Sequence, residues 1–320
     1  MAGLKDFEAE FLAAGETITA HTSGSTGVPK NIELSKEDMR RSARTSNAFF
    51  GIDESSVLAC PLAADYIAGK MMVVRALEAR CRLIELSVSN KIRLPDDIPS
   101  VDLLPVVPSQ LASVMANIAP SAVRNLLIGG GAPSEEQCRA LGSAGYKAFI
   151  SYGMTETCSH VAMADIRDDR RIFHALPGIA FSVDVRGCLA VDAPDFDFRR
   201  VQTNDVVELI DASSFRWLGR HDNVINSSGL KLHPEEMERL FSAFLPDMDY
   251  YVVGEPDKTW GQAAVLVVEG FQETADNALD VLRQSGIDHK YLPKRAVGVP
   301  MLQRTASRKI IRKIPNAGSY

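Results

Sequence analysis

Apolar residues recur along this chain with two different periods, and the period changes near residue 180. Leu4, Phe7, Phe11 and Leu12 fall on one face of a helix within residues 1–15. Asn31 to Leu34 reads as a strand. Ser35 with Asp38 resembles a capping box and opens a helix running to about Phe50. Val57 to Cys60 is a buried strand ending at Pro61. Ile67, Met71, Val74, Ala76 and Leu77 give the segment Asp65–Arg80 a mostly apolar helical face. Strands follow at 82–86 and 102–107, with a helix after Pro108-Ser109. The strand Asn125–Ile128 runs into Gly129-Gly130-Gly131-Ala132-Pro133. Ser134 with Gln137 forms a capping box for a helix to about Leu141, and 147–150 is again a strand. This alternation predicts an α/β domain with largely parallel strands. Such sheets bind ligands beyond the carboxyl ends of their strands, so Gly129–Pro133 and Ser151–Thr157 are candidate binding loops.

From about residue 180 the runs become short strands between turns: 183–185, 189–191, 206–210 and 215–218. They predict a small antiparallel, barrel-like part closing the first domain. A boundary is expected at Gly219-Arg220, dividing the chain into domains 1–219 and 220–320. Beyond it, Pro234 starts a helix through Leu240. Strands at 250–253, 264–268 and 296–299 and a helix at 276–284 predict a small α+β domain.

The 320 residues are 46% hydrophobic and 24% charged, as in an ordinary globular protein. A net charge of −6 argues against nucleic acid as the main partner. No apolar run approaches the roughly 20 residues of a membrane span. The first eight residues lack a basic and then apolar leader, so none is expected. Five scattered cysteines without C-x-x-C spacing point to reduced thiols in a cytoplasm, not to disulfides or zinc. The six histidines form no H-x-x-x-H pair, which argues against histidine metal ligation.

The stretch His21 to Lys30 carries the most distinctive chemistry. It holds four hydroxyls, two glycines and a lysine in ten residues. Hydroxyls and glycine N–H groups donate to phosphate oxygens, and Lys30 adds a positive charge. Gly24 to Gly27 is too short for a Walker A loop, and no hydroxyl follows Lys30. From composition alone, the stretch reads as an anion cradle or as a Ser/Gly linker.

Five segments together resemble the adenylate-forming superfamily of acyl-CoA ligases, peptide-synthetase adenylation domains and luciferases. Thr22 to Lys30 matches the family's [ST]-[ST]-G-[ST]-T-G-x-P-K loop, and Tyr152 to Glu156 its Y-G-x-T-E motif. Thr203-Asn204-Asp205 is similar to T-G-D. Gly219-Arg220-His221-Asp222, with Gly229 and Pro234-Glu235-Glu236, resembles the hinge motif G-R-x-D…G…P-x-E-[IM]-E. Gln303 to Ile310 resembles the terminal P-R-T-x-S-G-K-[IL] motif.

The resemblance implies an enzyme that uses ATP, Mg²⁺ and coenzyme A on a small carboxylic acid. By it, Thr22, Ser23, Gly24, Ser25, Thr26, Gly27 and Lys30 hold the pyrophosphate of ATP. Gly130, Gly131, Ala132 and Pro133, with Ser151, Tyr152, Gly153, Met154 and Thr155, wall the nucleotide and acyl sites. Asp205 and Arg220 meet the ribose. Glu156 binds the metal and acts with Thr155 in catalysis. Asp222 is the hinge, and Lys309 is the catalytic lysine of a mobile C-terminal domain. Asp205 as a turn cap and Arg220 as a surface ion pair are the plainer alternatives for single residues.

Arg308 stands where the family has Gly before the lysine, which removes access to φ > 0 and adds a cation. Only 21 residues precede the first loop, so an N-terminally shortened fold is expected, its exposed face covered in another way, such as by a second copy in a homodimer. One branch fits best, the o-succinylbenzoate–CoA ligases of menaquinone biosynthesis. Thr155 to His160 resembles its T-E-T-x-S-[QH] segment, and Val107 to Leu111 its V-P-[ST]-Q-L segment. Tyr66, Lys70, Ser159 and His160 are the acyl-site candidates, with Lys70 either drawing a second carboxylate or solvated. Another acyl-CoA ligase, a carrier-protein adenylation module and a non-catalytic nucleotide-binding protein are the alternatives.

Overall fold

In a computed structural model, which describes residues 3–21, 31–168, 170–246, 248–304 and 310–314, the first apolar stripe becomes helix α1 (Leu4–Leu12). It buries Leu4, Phe7 and Phe11, while Leu12, expected on that face, is exposed. Strands β1 (Thr17–His21) and β2 (Asn31–Ser35) pair antiparallel, so the ends of the 22–30 segment meet at His21 and Asn31. Helix α2 (Lys36–Phe50) begins where Ser35 Oγ accepts the Asp38 N–H at 3.4 Å. The reciprocal half of that box is replaced, because the Asp38 carboxylate accepts the Asp197 N–H at 2.9 Å. Strand β3 (Val57–Cys60), helix α3 (Ile67–Ala79) and strand β4 (Arg82–Glu85) form a βαβ unit with β3 and β4 parallel.

Strand β5 (Leu104–Val106), helix α4 (Leu111–Asn117), strand β6 (Leu126–Ile128), helix α5 (Glu135–Ala144) and strand β7 (Ala148–Gly153) continue the alternation. The three strands are parallel, so the loops after Val106, Ile128 and Gly153 leave the same edge. Ser134 and Gln137 cap α5 reciprocally.

Six antiparallel strands extend the same sheet: β8 (His160–Asp165), β9 (Ile172–Ala175), β10 (Ala180–Val183), β11 (Cys188–Asp192), β12 (Arg200–Asp211) and β13 (Ser214–Arg220). Among the described residues the sheet has nine strands, in the order β10-β11-β12-β13-β9-β8-β7-β6-β5. The expected antiparallel part is thus joined to the parallel part at β7–β8. It curls around Phe215, whose ring packs on Tyr152, Phe173 and Phe181.

The chain then builds a second, five-stranded sheet. It comprises β14 (Ile225–Ser227), β15 (Leu230–Leu232), helix α6 (Pro234–Phe241), β16 (Tyr250–Asp257), β17 (Gly261–Glu269), helix α7 (Gln272–Gln284) and β18 (Arg295–Val299). Met237, Phe241, Val252, Leu266 and Leu279 form a core of their own. Two ion pairs join this part to the larger sheet layer, Arg216–Glu236 at 2.7 Å and Arg239–Glu135 at 3.9 Å. No described helix is long and apolar enough to cross a membrane.

Candidate active site

The edge where β5, β6 and β7 end carries three shaped loops. After β5, Gln110 is buried, accepts the Val107 N–H at 3.0 Å and donates to Ser89 O at 2.9 Å. This fixes the turn that the Val107–Leu111 segment forms. After β6, Gly129 donates back to Val106 O, and Gly130, Gly131 and Ala132 lie exposed before buried Pro133. Ser151 Oγ donates to Ile128 O at 3.0 Å and ties this loop to β7.

After β7 the backbone doubles back on itself. A Cβ on Gly153 would stand 2.2 Å from Ser159 O, so only glycine permits the approach. Thr157 Oγ1 accepts the Met154 N–H at 3.0 Å and donates in the same turn, closing the Met154–Ser159 loop. Cys158, buried at φ 61°, turns the chain so that Ser159 and His160 enter the interior. Thr155 is half-buried and Glu156 exposed.

Tyr152 reaches Asp205 on β12 with an Oη–Oδ2 distance of 2.7 Å. Arg220 Nη1 lies 3.3 Å from the other carboxylate oxygen, and its Nη2 3.7 Å from Asp222. Thr203 Oγ1 accepts the Asp205 N–H. Asp205 is therefore no turn cap: it lies mid-strand, 6% exposed, with its carboxylate aligned by two side chains. Burial and the Asp205 charge hold the Tyr152 hydroxyl well above its usual pKa, so it stays a donor.

A second cluster lies behind the turn, and its central residue was not among the sequence candidates. Arg75 on α3 is 2% exposed. Its Nε donates to Ser46 Oγ at 2.9 Å and its Nη2 to Ser159 Oγ at 2.8 Å, with His160 Nδ1 at 3.5 Å. His160 Nε2 lies 3.1 Å from the same Ser46 Oγ. Burial pushes the guanidinium down to about 10, which leaves it charged at neutral pH. Burial, aided by Arg75, holds His160 well below 6.5, so it is neutral. No carboxylate among the described residues pairs with Arg75. The signal available in the sequence was a charge inside a helix otherwise apolar on nearly every side.

Lys70 takes a different place from the one expected. Its Nζ lies 4.2 Å over the Phe7 ring and 3.9 Å from Glu10, under α1. Five residues separate it from Arg75, about 140° around the helix. Tyr66 is half-exposed at the start of α3, and among the described residues it bonds to neither Ser159 nor His160. The structure thus gathers Ser159 and His160 around Arg75 and sets Lys70 apart. Thr22, Ser23, Gly24, Ser25, Thr26, Gly27, Lys30 and Lys309 lie outside the described residues.

Magnesium needs one or two carboxylates when substrate phosphates complete its shell. Glu156 fits that requirement, being exposed and without a hydrogen-bond partner among the described residues. The described residues contain no cluster of three metal-ligating side chains, so an all-protein metal cage is not formed by them.

A mixed sheet with parallel strands ending in a glycine turn and a Y-G-M-T-E turn, followed by a smaller α+β layer, is the adenylate-forming architecture. The family model for AMP-binding enzymes matches residues 17–185, and the chain belongs to that family. The 2-succinylbenzoate–CoA ligase of Bacillus cytotoxicus is 25% identical over 340 residues, covering 95% of this chain and 70% of the relative. That of Enterococcus faecalis is 26% identical over 326 residues, covering 91% and 67%. Among solved structures, an acyl-CoA synthetase (AMP-forming)/AMP-acid ligase II-like protein from Dyadobacter fermentans has 30% identity and a TM-score of 0.63, covering 95% of this chain and 90% of its own. The o-succinylbenzoate CoA synthetase of Bacillus subtilis, in complex with its acyl-adenylate intermediate, has a TM-score of 0.76 at 21% identity, covering 91% and 67%.

Proposed function

We propose that this chain is an AMP-forming acid–thiol ligase that converts o-succinylbenzoate to its coenzyme A thioester. Membership in the AMP-binding family and relatives named 2-succinylbenzoate–CoA ligase support the reaction class. The observation that carries the substrate is Arg75. A buried guanidinium without an acidic partner is costly unless something anionic completes it. Ser46, Ser159 and His160 hold it beside the turn that walls the acyl site. An acid with a second carboxylate supplies the missing charge, and o-succinylbenzoate has two.

In this reading the acid's reacting carboxylate attacks the α-phosphate of ATP and pyrophosphate leaves. Asp205, held by Tyr152 and Arg220, accepts the ribose hydroxyls. The 129–133 and 151–155 loops wall the base and the acid. Glu156 would hold Mg²⁺, which would neutralise charge on the phosphates. Lys30 and Lys309 add positive charge at the same centre. Residues 220–320 then turn as a unit about Asp222, withdrawing Lys309 and admitting coenzyme A, whose thiolate displaces AMP. One cleft so serves two transition states in turn.

The test is ATP–pyrophosphate exchange over a panel of acids, followed by thioester formation with coenzyme A. Exchange with o-succinylbenzoate well above benzoate, and loss of that preference in Arg75→Gln, is the expected result. Equal use of benzoate by the parent enzyme overturns the substrate. Absence of exchange with every acid overturns the ligase.

A further inference from the structure

We infer that Arg312 and Glu238 position the segment that carries Lys309 and tie it to the hinge. The inference rests on the proposed role of Lys309, and concerns the described residues on either side of it. The described residues on either side of it pair, Arg304 bridging Ile310 antiparallel and Ile311 N–H donating to Gln303 O at 2.8 Å. Arg312 then anchors the outgoing strand. Its guanidinium grips both oxygens of Glu238 on α6, with Nη2 at 2.7 Å, and Nη1 also donates to Val252 O at 3.2 Å. Glu238 Oε1 accepts the Val252 N–H at 2.7 Å, and Tyr251 Oη donates to Lys313 O at 2.6 Å. Helix α6, strand β16 and the stretch beyond Lys309 are thereby one hydrogen-bonded unit.

The same arginine faces the hinge. Its Nε lies 3.8 Å from Glu235 Oε1, which accepts Asn223 Nδ2 at 2.5 Å. The Glu235 side chain packs on Gly219, where an added Cβ would stand 2.4 Å from Oε2 and displace the carboxylate. A continuous path therefore runs from Gly219 and Asn223 through Glu235 and Arg312 to Glu238. A polar cavity of about 150 Å³ beside it is lined by Asp222, Asn223, Gln262 and Arg312. The second Glu of the P-x-E-M-E motif and the arginine three residues past Lys309 are the two ends of this clamp.

Removing either charge alone leaves the other half-buried and uncompensated, so the informative variant keeps the charge. Arg312→Lys does so but loses the two-pronged grip. Each half-reaction is measured in single turnovers, using the acid that the parent enzyme adenylates fastest. A displacement of the lysine by about 1 Å is worth about 100-fold, so adenylation is expected to fall by about that factor in Arg312→Lys, with conversion of preformed acyl-adenylate within about twofold of the parent. Arg312→Lys combined with Lys309→Ala is expected to adenylate no more slowly than Lys309→Ala alone, since the first acts through the second. Equal losses in both half-reactions, or unchanged adenylation, overturn the positioning role. Full adenylation by Lys309→Ala overturns the role of Lys309 itself, whatever the Arg312 variants do, and a parent enzyme that adenylates no acid overturns both.

Discussion

Tyr152 on β7 donates its hydroxyl hydrogen to Asp205 on β12 at 2.7 Å, although three strands, β13, β9 and β8, separate them in the sheet. The curl of the sheet around Phe215 makes that contact, and Arg220 completes it from the far end of β13. A carboxylate held on both oxygens is fixed in direction before any ligand arrives. This places the nucleotide-ribose candidate under the control of the aromatic core behind it.

Tyr152→Phe removes one bond to Asp205 and keeps the ring packing. A hydrogen bond to a charged group is worth about 1.5–3 kcal/mol, so the KM for ATP should rise by about 10- to 100-fold. Steady-state kinetics at saturating acid read this directly. An unchanged KM for ATP would mean that Asp205 does not touch the nucleotide.

The cysteines should be chemically quiet. Burial pushes Cys60 and Cys158 up to about 12 and Cys81 up to about 11, and it raises Cys138 and Cys188 as well. The thiolate is the reactive form. Native protein near pH 8 should therefore react slowly with iodoacetamide at all five positions, and quickly once denatured. Rapid native alkylation of Cys158, followed by peptide mass mapping, would reopen a nucleophilic role for it.

The pH dependence of stability should carry the mark of His160. Its folded pKa lies well below 6.5 because burial disfavours the imidazolium and Arg75 repels it. As pH falls through 6.5 the unfolded chain binds this proton and the folded chain does not. The contribution is present in full above that pH and is lost progressively below it, down to the folded pKa, by at most about 1.4 kcal/mol per pH unit. His233, also lowered by burial, acts in the same direction. Urea midpoints should drop between neutral pH and about pH 5, and His160→Gln should flatten the decline. An identical slope in the variant would show that His160 is already protonated in the fold.

The elements that were legible in the sequence are those whose signals are local. The Ser134–Gln137 box, Pro234 at the start of α6 and the 57–60 and 296–299 runs all depend on residues within one turn or strand of each other. Strand β8 was not legible, because His160 to Ala164 are all buried and show no alternation of faces. Asp205 was legible through its motif but not in its setting, since Tyr152 lies 53 residues away. The setting of Arg75 was hidden for the same reason in stronger form. Its partners Ser46 and Ser159 stand 29 and 84 residues away, and only the packing of α2, α3 and the 154–159 turn brings them together.

Lys70 is where local reading misled, and it yields the most direct check on the acyl site. The sequence left Lys70 either drawing a second carboxylate or solvated. The structure instead covers that lysine with α1, placing its ammonium over Phe7 and near Glu10. Burial lowers its pKa, and the Glu10 charge only partly opposes this. Replacing a buried charge by an apolar side chain of similar length is often neutral or stabilising. Lys70→Met should therefore leave the KM for the acid within about twofold and the stability within about 1 kcal/mol. Arg75→Gln in the same assay should raise that KM by about tenfold or more, as expected for a lost charge-assisted contact. The two variants sit on one helix and both remove a cation, so a general effect of charge on the site would move them together. A large rise in KM for Lys70→Met alone would return the second carboxylate to Lys70 and leave Arg75 a structural arginine.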